Sequence, residues 1–362
     1  MSEKTGVSET VMFSYDCSII LSKYLPNSDL KSMCCVNRQL HRYFSVILQQ
    51  DVKINEQNVT RFVSSMKNST HVNILQIKGN FKDNSDLNTL FEQLTCTTLH
   101  LDSEFWTSSS DFNFPKQFAE KVLNLILEGD AFLEDVPLGI FQSLQSITLN
   151  GHHEDLSLKI KSCPSIHKLK LMNCHFQASN QIENYVYGDR QSLNAILEKG
   201  RIDSITELNV YNSSVSSGGI EFDFFSMAPL CYPNLLKLTS YKSCISNLKV
   251  LQNFQKLEYF KLHEDLIKFQ GVECCGTLQY LYLIGDTIRI DDCIADLKVN
   301  VFRIECKSLI NESKIIKMPS CSVIEVSTRN GKIYKTNELW YFFRNSKWTT
   351  ILESDALMVL NK

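Results

Sequence analysis

What the chain lacks narrows its class first. Across 362 residues, no stretch approaches the ~18 uninterrupted apolar residues that a membrane-crossing helix needs. The first ten residues are polar and carry neither the basic start nor the apolar run of a secretory signal. The expected compartment is therefore the cytosol or nucleus, and no membrane partner is expected. There is no basic excess, with 37 Lys+Arg against 40 Asp+Glu and a formal charge of -3, so nucleic acid is not the expected partner. Glycine (13) and proline (7) are sparse for this length, which excludes collagen-like and low-complexity chains. No phosphate-cradling glycine loop, dinucleotide fingerprint, His-Glu-x-x-His or Gly-x-Ser-x-Gly elbow occurs. Intrinsic catalysis and a bound cofactor are accordingly not expected.

Cysteine is not scarce, but its pattern is also an absence. The 13 cysteines are odd in number and include no Cys-x-x-Cys. The adjacent pairs Cys34-Cys35 and Cys274-Cys275 suit neither tetrahedral zinc nor a redox motif. They read as reduced thiols used as small apolar filler. The tightest Cys/His group is Cys163, His167, Cys174 and His175, and Cys174 is better explained by its place in a repeat. His152-His153 beside Glu154-Asp155 is most simply a solvated turn.

What is present is a repeat. The pattern apolar-x-x-apolar-x-apolar recurs with central positions Leu75, Leu99, Leu125, Ile147, Leu169, Leu208, Leu238, Phe260, Leu281, Phe302 and Ile324. Eight of the ten successive steps are 21 to 26 residues long, and Val52 with Ile54 extends the series backwards. Alternate residues of a short strand point to one side. The second and third apolar positions of each copy therefore enter a common core, and the residue between them faces out. One such strand cannot bury its own apolar face, whereas a parallel stack can.

Period and pattern resemble the leucine-rich repeat. The resemblance implies an α/β solenoid with parallel strands on the concave face and short helices on the convex face. It also implies an Asn or Cys three residues after the last apolar position, where backbone amides are tied down. Cys174 fits that place, and Asp130, Asp265 and Asp286 stand there in other copies. Helical spacing predicts convex helices over 58–67 and 86–94 and a turn at 118–121. Two long steps hold insertions expected as loops: 177–188 with a helix at 190–199, and the Ser/Gly-rich 213–219.

The segment before Val52 does not follow the repeat. Apolar residues at helical spacing and the break at Pro26 predict a small helical unit, with Ser28 or Asp29 capping its second helix. Over Phe13 to Phe44 it resembles an F-box. Leu21-Ser22-Lys23-Tyr24-Leu25 stands for the family's Ile-Leu-x-Tyr-Leu, Asp29-Leu30 for its Asp-Leu, and Val36-Asn37-Arg38-Gln39-Leu40 for its Val-Cys-Lys-x-Trp. Ser14, Asn37 and Leu40 depart from the family's Pro, Cys and Trp. The chain thereby resembles the F-box/leucine-rich-repeat proteins, which implies the substrate-recognition subunit of a Skp–cullin–F-box ubiquitin ligase. The contacts carried over for the Skp adaptor are Phe13, Leu21, Tyr24, Leu25, Pro26, Leu30, Met33, Val36 and Leu40. The resulting division is a disordered lead (1–12), the F-box-like unit (13–48), the solenoid (49–336) and an aromatic cap (337–362) with a last strand at 348–352.

If the strands are placed correctly, their outward positions form a surface. Tyr211, Lys237, Tyr241, Tyr259, Lys261, His263, Tyr280, Tyr282 and Arg303 fall on adjacent strands. Tyrosine and arginine anchor many protein interfaces, so these nine are the candidate contacts for a protein substrate. Gln76, His100, Thr148 and Lys170 hold the equivalent places in earlier repeats and are less distinctive.

Overall fold

An apolar residue at every second place gives each copy of the motif one edge that water disfavours and β geometry accepts. The computed structural model describes residues 51–66, 70–81, 85–108, 114–129, 138–151, 163, 165–177, 201–217, 220–222, 229, 231–243, 248–269, 277–292, 294, 297–311, 315, 321–329, 331–336, 339–344, 347–351 and 356. Before residue 51 it describes Asp29, Ser32 and Cys35.

The strands in chain order are β1 (Asp51–Ile54), β2 (Thr70–Ile77), β3 (Leu94–Asp102), β4 (Asn124–Glu128), β5 (Ser146–Asn150), β6 (Lys168–Met172) and β7 (His175–Gln177). Then come β8 (Glu207–Tyr211), β9 (Ser214–Ser217), β10 (Ile220–Phe222), β11 (Lys237–Tyr241), β12 (Tyr259–His263) and β13 (Leu266–Phe269). The last are β14 (Tyr280–Ile290), β15 (Val301–Ile310), β16 (Val323–Thr328), β17 (Gly331–Thr336), β18 (Leu339–Arg344) and β19 (Lys347–Ile351). One sheet runs β1-β2-β3-β4-β5-β6-β8-β11-β12-β14-β15-β16 and is parallel throughout.

The central residues of all the motif copies lie on a single rung. It passes from Val52 through Leu75, Leu99, Leu125, Ile147, Leu169, Leu208, Leu238, Phe260, Leu281 and Phe302 to Ile324, each opposite the next. From Leu75 onward every one of them is fully buried. Each such side chain contributes about 1.5–3 kcal/mol relative to exposure. Behind the sheet, Phe91, Phe114, Phe118 and Phe141 form one aromatic cluster, with Phe91 and Phe118 centroids 4.6 Å apart. The convex helices Val59–Ser65, Ser85–Gln93 and Lys116–Ala119 match the spacing-based expectation.

The chain leaves six of the strands through the same corner. Two residues past the last apolar position it turns left-handed, at Gly79 (φ 90°), Gly129 (93°), Gly151 (82°), Asn173 (51°), Asn212 (46°) and Lys242 (47°). Glycine and asparagine tolerate this region best. The amides of Gly129, Gly151, Asn173, Asn212 and Lys242 each donate to the last carbonyl of the next strand at 2.7–2.9 Å. One place further on, Cys174, Ser213 and Ser243 are buried, and each donates to the carbonyl two residues back at 2.8–3.3 Å. Cys174 is a corner residue, as its repeat position implied.

Two aspartates expected at that place do otherwise. Asp265 and Asp286 are exposed and pair with Lys242 (3.5 Å) and Lys307 (2.7 Å). At these repeats no left-handed residue follows the strand, so the backbone continues extended. β13 and the second halves of β14 and β15 make a further parallel run, with Ile267 and Ile288 turned inward. Asp130 lies outside the described residues.

The Ser/Gly-rich stretch after Tyr211 is not a simple loop. Its residues Ser214–Ser217 form β9, which pairs with β7 in parallel and with β10 antiparallel in a small separate sheet. The helix expected at 190–199, the His152-His153 turn and all nine adaptor-contact candidates lie outside the described residues.

The parallel order stops at β16. From there β17, β18 and β19 return antiparallel as a meander. The links are two residues each, Arg329-Asn330, Asn337-Glu338 and Asn345-Ser346, whereas a parallel crossover takes a dozen or more. Asn330-Gly331 is also a hairpin signal in its own right. Trp340 of β18 is buried, and the strand expected near Trp348 is β19.

Candidate protein-binding face

Strand register decides which side chains meet on the open side of the sheet. Between β6 and β16 the outward residues form three rows, each crossing the strands. The middle row is Lys170, Asn209, Thr239, Lys261, Tyr282, Arg303 and Glu325. On the side where the strands end lie Met172, Tyr211, Tyr241, His263, Ile284 and Glu305. On the side where they begin lie Lys168, Glu207, Lys237, Tyr259, Tyr280 and Val301.

Several neighbours within the rows meet. Tyr211 and Tyr241 have ring centroids 6.0 Å apart, and the Tyr241 ring meets His263 edge-on at 4.3 Å. Tyr259 and Tyr280 stack nearly parallel at 4.7 Å. Tyr282 is covered on both sides, by Lys261 Nζ at 4.8 Å and by the Arg303 guanidinium at 4.7 Å. Lys170 Nζ lies over the Tyr211 ring at 5.0 Å, reaching between rows. Each such cation–ring contact is worth about 0.5–1 kcal/mol at an exposed site.

The sequence-predicted residues are therefore brought together, but not in equal roles. Tyr282 is only 8% exposed. Burial, and the bond its hydroxyl donates to Glu305, push its phenol far above the ordinary value. It is a post that holds Lys261 and Arg303 upright. Arg303 is held further by Glu305 at 3.0 Å and Glu325 at 3.4 Å. Tyr211, Tyr241, Tyr259 and Tyr280 remain half-buried. Lys237 is exposed. Burial, then Lys242 and Lys261, keep His263 below the usual imidazole value, so it is neutral near pH 7.

Sequence reasoning placed Lys170, Glu207, Asn209 and Glu305 on the open side but did not choose them as contacts. Lys168 meets Glu207 at 2.7 Å, and Asn209 Nδ2 donates to the same carboxylate at 3.0 Å. Burial pushes the Glu207 carboxyl up, but these bonds outweigh it and leave it below the usual carboxylate range. What register adds is the pairing, because it sets Lys168 and Lys170 beside Glu207 and Asn209. In the early repeats the equivalent place holds a smaller polar cluster, with Glu128 bonded to Lys78 at 3.2 Å and His100 at 3.0 Å. Among the described residues, no group of three or more His, Cys, Asp or Glu could hold a metal ion.

No protein-family profile matches the chain, and no curated protein matches it in sequence. Among solved structures it is similar to an internalin, InlF, from Listeria monocytogenes, at 13% identity and TM-score 0.35, over 59% of this chain and 63% of that one. It is similar to a TDR receptor at 10% identity and TM-score 0.40, over 77% and 46%. It is also similar to the plant peptide hormone receptor RGFR1, solved in complex with RGF2, at 14% identity and TM-score 0.35, over 71% and 45%. The alignments thus span less than two thirds of each of those proteins. Such scores say nothing of function. The ladder from Val52 to Ile324, with its parallel strands, its shared corner and its helices behind the sheet, is what makes this fold a leucine-rich-repeat solenoid.

Proposed function

We infer that the chain is a non-catalytic protein-binding solenoid whose partner docks on the open face from β6 to β16. One observation carries this reading: register sets half-exposed tyrosines on four adjacent strands, with Lys170 seated on the ring of Tyr211 and with Lys261 and Arg303 seated on the buried ring of Tyr282 between them. Rigid aromatic anchors held by neighbours lose little freedom on binding, and interfaces concentrate their energy in such residues.

The finer reading adds the adaptor. On the resemblance of Phe13–Phe44 to an F-box, the chain serves as the substrate-recognition subunit of a Skp–cullin–F-box ubiquitin ligase in the cytosol or nucleus. It would hold a substrate's lysines near a ubiquitin-loaded enzyme and raise their effective concentration. The departures at Ser14, Asn37 and Leu40 favour one other reading, a scaffold with the same binding face and no ubiquitination role.

Co-purification of the full chain separates them. In the ligase reading a Skp adaptor and a cullin are both recovered, and Leu25→Asp or Leu30→Asp removes both while leaving proteins held by the repeats. Recovery of the adaptor without cullin supports the scaffold, and recovery of neither ends the ligase reading. Tyr259→Ala with Tyr280→Ala should strip the repeat-bound proteins and spare the adaptor.

A further inference from the structure

The charges on the open face do not cancel. Its outward positions from β6 to β16 hold five cations (Lys168, Lys170, Lys237, Lys261 and Arg303) and three anions (Glu207, Glu305 and Glu325). All three anions are engaged: Glu207 by Lys168 and Asn209, and Glu305 and Glu325 by Arg303. That leaves Lys170, Lys237 and Lys261 with no acidic partner at ion-pair distance among the described residues. Lys170 and Lys261 are instead propped on the rings of Tyr211 and Tyr282. The whole chain is acidic, at -3, so this cationic surplus is local.

The layout adds a shape. Between Lys170 and Lys261 the middle row holds only Asn209 and Thr239, two short polar side chains. Tyr211 and Tyr241 wall this floor on one side; on the other stand Lys237 and Glu207, the latter already held by Lys168 and Asn209, with Tyr259 next in that row. Lys170 and Lys261 sit three strands apart, about 14 Å at the usual ~4.8 Å strand spacing. An extended peptide advances about 3.3 Å per residue, so the two ammonium groups match side chains about four residues apart on a segment lying across the strands.

We propose that the floor formed by Asn209 and Thr239, between Lys170 and Lys261, seats an extended segment rich in Asp and Glu, with the flanking tyrosines gripping its backbone and stems. The proposal rests on the reading of this face as the partner-binding surface and names the chemistry of that partner. Complementary charge speeds encounter and rejects wrong partners. Because the lysines are only partly buried, salt must weaken the attraction.

The test uses the full chain and three fluorescent peptides of about ten residues, long enough to cross this floor at the usual rise per residue. One is built from Asp, Glu and Tyr, one has Asn and Gln in place of the acids, and one has Lys. The acidic peptide should bind at least about tenfold more tightly than the amide version, with the gap closing as salt rises. Lys170→Glu with Lys261→Glu should abolish the gap, and Lys170→Gln with Lys261→Gln should shrink it, with the far-UV circular dichroism spectrum unchanged. Equal binding of the acidic and amide peptides, no binding of the acidic peptide, or a preference that survives the double Glu variant overturns the proposal. The broader reading then stands if another peptide binds and Tyr211→Ala with Tyr259→Ala removes it. It falls as well if the tyrosine substitutions on this face change neither peptide binding nor the proteins recovered with the chain.

Discussion

Ser240 occupies a core position of β11, between Val210 of β8 and Leu262 of β12, and is fully buried. Its hydroxyl has no hydrogen-bond partner. A buried hydroxyl left unpaired costs about 1–3 kcal/mol. Ser240→Ala should therefore raise the unfolding free energy by about 1 kcal/mol, read as a higher denaturant midpoint at unchanged m-value. A lower midpoint would mean that the hydroxyl is satisfied. Lys242 presents the backbone counterpart, a long side chain at a left-handed corner (φ 47°) that glycine or asparagine fills in the five others. Its ion pair with Asp265 is exposed and long at 3.5 Å, and such pairs contribute little. Lys242→Gly should stabilise by about 0.5–1 kcal/mol, since relief of the left-handed strain exceeds glycine's entropic cost. On the binding face, His263 should titrate below its ordinary 6.5 because burial and two lysines disfavour its charged form. Lys261→Gln removes one of those lysines and should move the titration upward, measurable by NMR of the ring protons. No movement would show that burial and Lys242 set the value without Lys261.

At the scale of elements, a close approach and a chain end carry most of the risk. Gly285 lies inside β14, and a Cβ there would stand 2.6 Å from the carbonyl oxygen of Glu264. The backbone cannot yield that space without opening the gap between β12 and β14, so Gly285→Val should cost more than the ~1 kcal/mol that a glycine replacement typically changes in an open strand. Near the last strands, Trp340 of β18 is buried in the core with Lys335 Nζ over its ring at 5.2 Å. Trp340→Ala should cost about 3–5 kcal/mol, as large aromatic truncations in cores do. What was legible in the sequence follows from the same distinction. Apolar period fixed every strand of the parallel ladder, because burial on one side of a strand writes itself into alternate residues. It placed the outward tyrosines for the same reason. The corner at Gly79, Gly129, Gly151, Asn173 and Asn212 was also written there, as a residue type at a constant offset, but it is a backbone preference that a search for apolar residues passes over. The extended run through β13 was less visible, because Asp265 and Asp286 match the repeat pattern while the absence of a left-handed residue before them redirects the chain. Which charges on the face are already spent depended on pairs such as Arg303 with Glu305 and Glu325, which only the register reveals.

At the scale of the whole molecule, each repeat touches only its neighbours, so stability is close to a sum of units and of the interfaces between them. Two changes near the same place should then have opposite consequences. β6 and β8 pair over five residues, from Lys168 opposite Glu207 to Met172 opposite Tyr211, in the same relation that β5 holds to β6. Yet Leu169 and Leu208 are 39 residues apart, whereas Leu125 and Ile147 complete the same rung in 22. The strand register is the same across both steps. Removing residues 182–198 shortens the step to the length of the Leu125–Ile147 step, and the deleted chain should keep the far-UV spectrum and a single thermal transition. Leu208→Asp changes one residue of that same rung, where the side chain is fully buried between Leu169 and Leu238. An unpaired carboxylate there is costly enough to force protonation or local opening. In a solenoid the opening has two flanks that still hold their own cores, so the variant should become cleavable near β8 and release an N-terminal piece and a C-terminal piece under limited proteolysis. Cleavage spread evenly along the chain, or an intact Leu208→Asp protein beside an unfolded deletion, would show that the residues between β6 and β8 support the core and that the repeats do not behave as a one-dimensional stack.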